Sequence, residues 1–150
     1  MKQTSALRLV TWVLLVLNLC LYVIVAALAG WVLNIMISGN LQSVTAAFMA
    51  TADLIIFSLI SAAAGLGSAI MGFHHMHAWS LESFSATAAA AGVALLLSLE
   101  ALGIASKEIT VGLYRHANLK ALEALAITAG TTQLFYVVIL QVAKVRGEFS

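Results

Sequence analysis

The sequence predicts an all-α integral membrane protein, a four-helix bundle with up-down topology and both termini on the same side of the bilayer. Of its 150 residues, 63% are hydrophobic and 9% are charged, and the mean hydropathy is +1.06. A soluble domain has about 25% charged residues, so this chain cannot cover a globular surface with polar groups. Four long apolar segments follow one another, and the sequence contains no proline, which would kink or end a helix.

The four segments are each long enough to cross the hydrocarbon core of a bilayer. That core needs about 20 apolar residues in a helix. The predicted helices cover residues 8–33, 46–72, 82–106 and 119–143. Strands of a membrane barrel would instead be about 10 residues long with alternating polarity, and these segments do not alternate. We therefore predict a single four-span transmembrane domain over residues 1–150.

The first segment also has features of a signal peptide. Lys2 and Arg8 precede an apolar stretch, and Ala27-Leu28-Ala29 comes before Gly30, which is an A-x-A cleavage pattern. The apolar stretch is longer than a usual signal core, so we predict an uncleaved first helix.

The basic residues divide between the two ends of the predicted bundle. The end with the termini holds Lys2, Arg8, Lys144 and Arg146, and the other end holds Lys107, Arg115 and Lys120. Basic residues are more frequent in cytoplasmic loops than in external ones. This small excess favours cytoplasmic termini.

Three carboxylates from different predicted helices are expected at a common depth near the connection over residues 107–118: Asp53, Glu100 and Glu123. A charge that faces lipid costs about 2.5–3.5 kcal/mol on insertion scales. Helical phase places Asp53 and Glu100 near small residues, which mark helix contacts in membranes. We therefore predict that the three acids face the bundle interior.

The partners of these acids are expected to be Lys107, Arg115 and Lys120, with Asn18 reaching the same interior nearer the midplane. Glu100 in particular needs a cation or a shared proton. The cluster has three interpretations that the sequence leaves open. It can be a set of struts that fix the order of the helices, a ligand or proton site, or an incidental placement of acids near the membrane interface.

A run of histidines follows the second segment: His74, His75 and His77. Their proximity to Trp79 favours interfacial histidines over a metal site, since no cysteine lies near them and the nearest carboxylate is Glu82. We expect no metal, no cofactor and no enzyme, because nucleophile, phosphate-loop and zinc-hydrolase motifs are absent. The net charge of +1 argues against a nucleic-acid partner.

Three stretches together resemble the AWPM-19-like (PM19-like) family of plant plasma-membrane proteins. They are LVLNLCLYVIVAALAGWVLN (15–34), GFHHMHAW (72–79) and KEITVGLYRHANLKALEALAITAGTTQLFYVVIL (107–140). The resemblance covers residues 14–143. The family pattern carries a basic residue where His77 stands in this chain.

The resemblance implies a four-span plasma-membrane protein of land plants or their relatives, associated with abscisic acid, drought, cold and seed dehydration. Both membrane stabilisation and hormone uptake are proposed for the family. Three functions therefore stay open: a membrane-stabilising or interaction protein, a facilitator for a weak acid such as abscisic acid, and an accessory subunit of a larger complex. The corresponding partners are the lipid bilayer, a second copy or another membrane protein, and a small organic acid.

Overall fold

The computed structural model describes residues 2–38, 46–78, 80–111 and 117–147. In these ranges the chain forms four α-helices: α1 (Lys2–Ile37), α2 (Ala46–Ala78), α3 (Leu81–Val111) and α4 (Ala117–Val145). Each predicted segment lies inside one of these helices, and all four helices are long and apolar enough to span a membrane. The predicted four-helix membrane bundle is confirmed. The helices also take in residues that the sequence analysis assigned to connections, because nothing there breaks a helix.

The connection between α2 and α3 is very short because Ser80 caps α3. The backbone N–H of Ser83 donates to Ser80 Oγ at 3.3 Å, and the backbone N–H of Ser80 donates to Ser83 Oγ at 3.3 Å. This reciprocal pattern satisfies backbone donors that a helix N-terminus leaves open. As a result α2 runs through the histidines to Ala78 before the chain reverses.

The helices pack in a ring in which each contacts the next: α1 with α2, α2 with α3, α3 with α4, and α4 with α1. We call the end of the bundle that holds Lys2, the α2–α3 connection and Val145 the terminal end. The opposite end, where α1 ends and α2 begins and where α3 ends and α4 begins, is the loop end. This arrangement is the predicted up-down topology.

Glycines at two positions of α2 let neighbouring side chains lie directly on the helix. A methyl group added at Gly65 would overlap the ring of Tyr22, and one added at Gly72 would overlap Leu15. Small residues allow close approach in membrane helices, where packing rather than hydrophobicity drives association. In contrast, Gly67 has no atom within 4 Å of an added methyl group.

We predict that Gly65→Ala lowers the stability of the protein in detergent by about 1–3 kcal/mol, which is the usual cost of overpacking a close contact. The Tyr22 ring cannot move away without losing its own packing in the interior. Thermal unfolding of the purified chain measures the effect. Gly67→Ala on the same helix is the matched control and should leave the midpoint unchanged or slightly raised; equal effects of the two substitutions would contradict the packing described here.

Candidate functional site

Gln133 connects all four helices at the centre of the bundle. The side chain is 1% exposed. Its Oε1 accepts a hydrogen bond from Asn18 Nδ2 at 3.1 Å, and its Nε2 donates to the Ala91 carbonyl at 3.2 Å and to Ser68 Oγ at 3.4 Å. These four residues come from α1, α2, α3 and α4, and we call them the central polar node. The node places a hydrogen-bonded side chain on the bundle axis near the middle of α4.

Asn18 lies in the interior, as its helical phase predicted. It is buried together with Thr11, Tyr22 and Ala29, which share its face of α1. Its Oδ1 atom is buried and has no hydrogen-bond partner among the described residues. Asn18 is therefore part of the node through its amide nitrogen.

A second bond crosses the bundle diagonally, one turn of α1 from Asn18. The hydroxyls of Tyr22 and Ser98 are 2.8 Å apart, and the Ser98 hydroxyl donates to the Ala94 carbonyl at 2.7 Å. Tyr22 is therefore the donor in the bond between them. This contact links α1 directly to α3, its diagonal neighbour.

The prediction that Asp53 faces the interior is wrong, because its side chain is exposed. The buried stripe of α2 runs through Leu54, Ser58, Ser61 and Ser68. Asp53 precedes Leu54 by one residue and so points about 100° away from that stripe. The small residues from which its direction was inferred lie on the stripe, but Asp53 does not.

Glu100 is also exposed, and the same prediction is wrong for it. The buried stripe of α3 includes Ala94, Ser98, Ala101 and Ala105. Glu100 precedes Ala101 by one residue, so it is turned outward by about 100°. Ser85, Ala89 and Gly103, whose small size suggested a contact face, are exposed as well. Small residues on α3 thus occur on both faces of the helix.

Glu123 is buried as predicted, and a second acid, Glu108, is buried although the sequence analysis placed it in a connection. Both are 1% exposed. The Thr51 hydroxyl donates to Glu108 Oε1 at 2.6 Å. Glu108 Oε2 is buried with no hydrogen-bond partner in the described part of the chain. Ala101, Ala105 and Glu108 are spaced by four and three residues and so lie on one face of α3. Continuing the predicted helix past residue 106 would therefore have predicted that Glu108 is buried.

Glu108 and Glu123 lie at similar depths on neighbouring helices. A methyl group added at Gly130 would lie 3.1 Å from the Ser98 carbonyl oxygen and 3.1 Å from Leu102 Cδ1, which aligns α4 with α3. Counting about 1.5 Å per residue from these two contacts brings the acids level within about one to three residues. We call Glu108 and Glu123 the loop-end acids.

Two of the three predicted cationic partners do not lie in the bundle interior. Lys107 and Lys120 are both exposed, since each lies on the outer face of its helix. Arg115 lies outside the described residues. Of the predicted polar layer, Glu123 and the deeper Asn18 are buried, and the structure adds Glu108 to the buried acids.

The matching family model is that of the AWPM-19-like family, and it covers residues 16–143. The chain belongs to the AWPM-19-like family. It is 40% identical over 128 residues to the rice (Oryza sativa subsp. japonica) protein "Membrane protein PM19L", an alignment that covers 85% of this chain and 74% of the rice protein. No solved structure matches the chain.

The terminal end of this AWPM-19-like protein is joined by contacts of a different kind. Buried His75 lies with Nδ1 2.7 Å from Ser83 Oγ, which ties α2 to α3. Arg8 of α1 donates to the Met76 carbonyl at 2.9 Å, one of the carbonyls that the end of α2 leaves without a helical partner. His74 and His77 are exposed. Only two of the three histidines thus lie on the surface of the protein.

Among the buried polar groups of the described residues, two sets differ in their chemistry. The central polar node consists of neutral groups that bond to one another. The loop-end acids are ionisable, and one of their oxygens lacks a hydrogen bond within the described residues. The first set can hold helices together, and the second can also bind a proton.

We predict that Gln133→Leu lowers the stability in detergent by about 2 kcal/mol, because it removes three interhelical hydrogen bonds of about 0.6 kcal/mol each at nearly constant volume. Gln141→Leu is the control, since Gln141 is exposed on the same helix and the substitution is identical. Thermal unfolding measures the stability of both variants. If Gln133→Leu unfolded at the same temperature as Gln141→Leu, the result would contradict the role of the node.

For Glu108, we predict that Thr51→Val lowers the stability by about 1–3 kcal/mol, the usual cost of removing the hydrogen-bond partner of a buried polar group. Valine has nearly the same shape but cannot donate to Glu108. Thr128→Val is the control, because the exposed Thr128 hydroxyl donates to the Ala124 carbonyl of its own helix. Glu100→Gln should also change the unfolding midpoint little. If Thr51→Val left the unfolding midpoint unchanged, or if Glu100→Gln lowered it strongly, the result would contradict the placement of Glu108 inside the bundle and of Glu100 outside it.

Proposed function

We propose that this protein is a plasma-membrane structural tetraspan that stabilises the bilayer during dehydration stress linked to abscisic acid, without a catalytic role. The observation that carries the proposal is the central polar node. Gln133 occupies the bundle axis and bonds to the other three helices. An axis filled by bonded side chains suits a rigid membrane element better than a passage for solutes.

The physical basis of such a role is that the bundle does not depend on bulk water for its cohesion. Helix association inside a bilayer comes from packing and interhelical hydrogen bonds. The hydrophobic effect that holds soluble proteins together requires surrounding water. The Tyr22 ring on Gly65 and the Gln133 bonds would persist when water becomes scarce.

We propose that both termini lie on the cytoplasmic side, because more basic residues lie at the terminal end than at the loop end. Arg8, Lys144 and Arg146 are exposed at the terminal end, and Lys107 and Lys120 are exposed at the loop end. Basic residues near membrane-spanning segments favour the cytoplasmic side. Accessibility of a tag at either terminus to protease in intact cells tests this orientation.

A second candidate function, a facilitator for a weak organic acid such as abscisic acid, is favoured by Glu108. Its buried Oε2 has no hydrogen-bond partner among the described residues, and ionisable groups inside membrane proteins commonly mark proton pathways. In this candidate the loop-end acids would exchange protons and Lys107 or Lys120 would attract the anion. Because Gln133 occupies the axis of one bundle, the passage would have to lie between copies.

A third candidate, an accessory subunit of a larger membrane complex, is favoured by Glu100. This acid is exposed on the outer face of α3, where a lipid-facing charge costs about 2.5–3.5 kcal/mol on insertion scales. A neighbouring protein could cover it. Co-purification of a partner from native membranes, lost on Glu100→Leu, is the test.

The leading proposal predicts that vesicles containing the protein retain a trapped dye through drying and rehydration better than empty vesicles do. Gln133→Leu should lose about half of that protection or more, since it loosens the four helices, whereas Gln141→Leu should keep it. Dye release by fluorescence measures the result. Equal release from empty and protein-containing vesicles, with the protein shown to be folded, would reject the stabilising role.

The same vesicles separate the second candidate from the first. Labelled abscisic acid is added outside under a pH gradient, and its uptake is compared for wild type and Glu108→Gln. Uptake above that of empty vesicles, lost in Glu108→Gln, would favour the facilitator. Uptake equal to that of empty vesicles would exclude it for this chain.

A further inference from the structure

The outer surface of the bundle carries an apolar groove between α1 and α4. The groove has a volume of about 400 Å³, within the range of about 300–1,000 Å³ that is usual for small-molecule sites. Its lining consists of Leu9, Val10, Val13, Leu14, Phe135 and Ile139. All six side chains are apolar, so an occupant can be held only by shape and apolar contact.

The groove lies in one half of the bundle, and its lining covers about 7.5 Å along α1, about half of the depth of one leaflet. It begins beyond the central polar node, which joins Asn18 to Gln133, and it extends along both helices toward the terminal end. Residues 9–14 of α1 and 135–139 of α4 lie between the middle of the bundle and the terminal end. A lipid of the leaflet at that end can therefore lay its chain along the groove.

A basic residue stands where the groove opens to water. Arg146 follows Ile139 by seven residues, which brings it back to the same face of α4, about 10 Å farther along the axis. The helical hydrogen bond from the Arg146 N–H to the Val142 carbonyl, at 3.1 Å, continues the helix to this point. Arg146 is exposed. It is thus placed at the headgroup level above the groove.

Two other basic residues near the terminal end, Arg8 and Lys144, contact other helices. Arg8 donates to the Met76 carbonyl of α2 at 2.9 Å. The Lys144 ammonium lies 5.0 Å from the centre of the Phe84 ring of α3. Arg146 shares a face with the groove lining on α4, and we expect selectivity for a headgroup to depend on it.

We propose that the α1–α4 groove binds an anionic phospholipid, with an acyl chain along Val13 and Phe135 and the headgroup phosphate at Arg146. A guanidinium binds phosphate oxygens through paired N–H donors. Anionic lipids are concentrated in the cytoplasmic leaflet, and a basic residue near that surface contributes about 1 kcal/mol to binding. The combination of an apolar groove and a cation at its open end favours such a lipid over a zwitterionic one.

The test uses the full-length protein in detergent with added dioleoyl phosphatidylglycerol or dioleoyl phosphatidylcholine, which have the same chains. Native mass spectrometry measures retained lipid, and thermal unfolding measures stabilisation. Wild type should retain phosphatidylglycerol preferentially. Arg146→Gln should weaken phosphatidylglycerol binding about fivefold, the equivalent of about 1 kcal/mol, and should weaken phosphatidylcholine binding less, because the choline cation offsets the charge of its phosphate. Lys144→Gln, with its charge on another face, should keep the preference.

A second pair of variants tests the groove itself. Val13→Trp fills the groove and should release the bound phosphatidylglycerol, whereas Val93→Trp, at a similarly exposed position of α3 (55% against 59%), should not. Equal binding of the two lipids by wild type, or an unchanged preference in Arg146→Gln, would overturn the proposal. So would a dimer in wild type that Val13→Trp converts to a monomer, because the groove would then belong to a second copy.

This lipid site adds a partner to the proposed stabilising role, and the two can fail separately. Loss of lipid selectivity with intact dye retention would remove only the groove proposal. Loss of dye protection with intact selectivity would remove only the stabilising role.

Discussion

The arrangement of the four helices depends on one amide group, that of Gln133. Water is absent at the centre of a bilayer, so a polar side chain there must find its partners within the protein. Gln133 finds them on Asn18, Ser68 and the Ala91 carbonyl. A slide of α4 by one turn, about 5.4 Å, would break all three bonds at once. The amide therefore fixes the depth of every helix relative to the others.

The close contacts away from the node follow from that alignment. With the helices at these depths, the Tyr22 ring meets Gly65, where a side chain would overlap it, and Gly130 meets the Ser98 carbonyl. The Tyr22 hydroxyl then reaches Ser98 across the bundle. Directional bonds set the depth of the helices, and close glycine contacts at Tyr22 and Ser98 add cohesion. This combination is consistent with the stabilising role proposed above.

The two ends of the bundle differ in what they can do. At the terminal end, His75 and Arg8 make contacts that tie α2 to its neighbours, and Arg146 stands above an apolar groove. At the loop end, Glu108 is held by Thr51 through one oxygen only. The lipid proposed above would bind at the first end, and the proton exchange of the second candidate function would take place at the second. Both activities can therefore be tested independently in the same chain.

Helical phase predicted the direction of some polar residues and failed for others for a definite reason. Asn18 shares its face with Thr11, Tyr22 and Ala29, and all four are buried, because that face contains one consistent set of residues. On α2 and α3, small residues occur both inside and outside, so they did not distinguish the buried stripe from its neighbour about 100° away. Glu108 was missed because its charge and that of Lys107 suggested the end of the helix, whereas α3 continues to Val111.

The sequence by itself determined that the chain spans the membrane four times and belongs in a helical bundle, because hydropathy and segment length depend on composition along the chain and not on neighbours. It also determined that the acids inside the predicted spans need an unusual environment, because a charge that faces lipid is costly. Only the tertiary structure decided which acids are inside. Whether a side chain is buried depends on which stripe of each helix meets the others, and that rotation is set by contacts such as those of Gln133, between residues far apart in the chain.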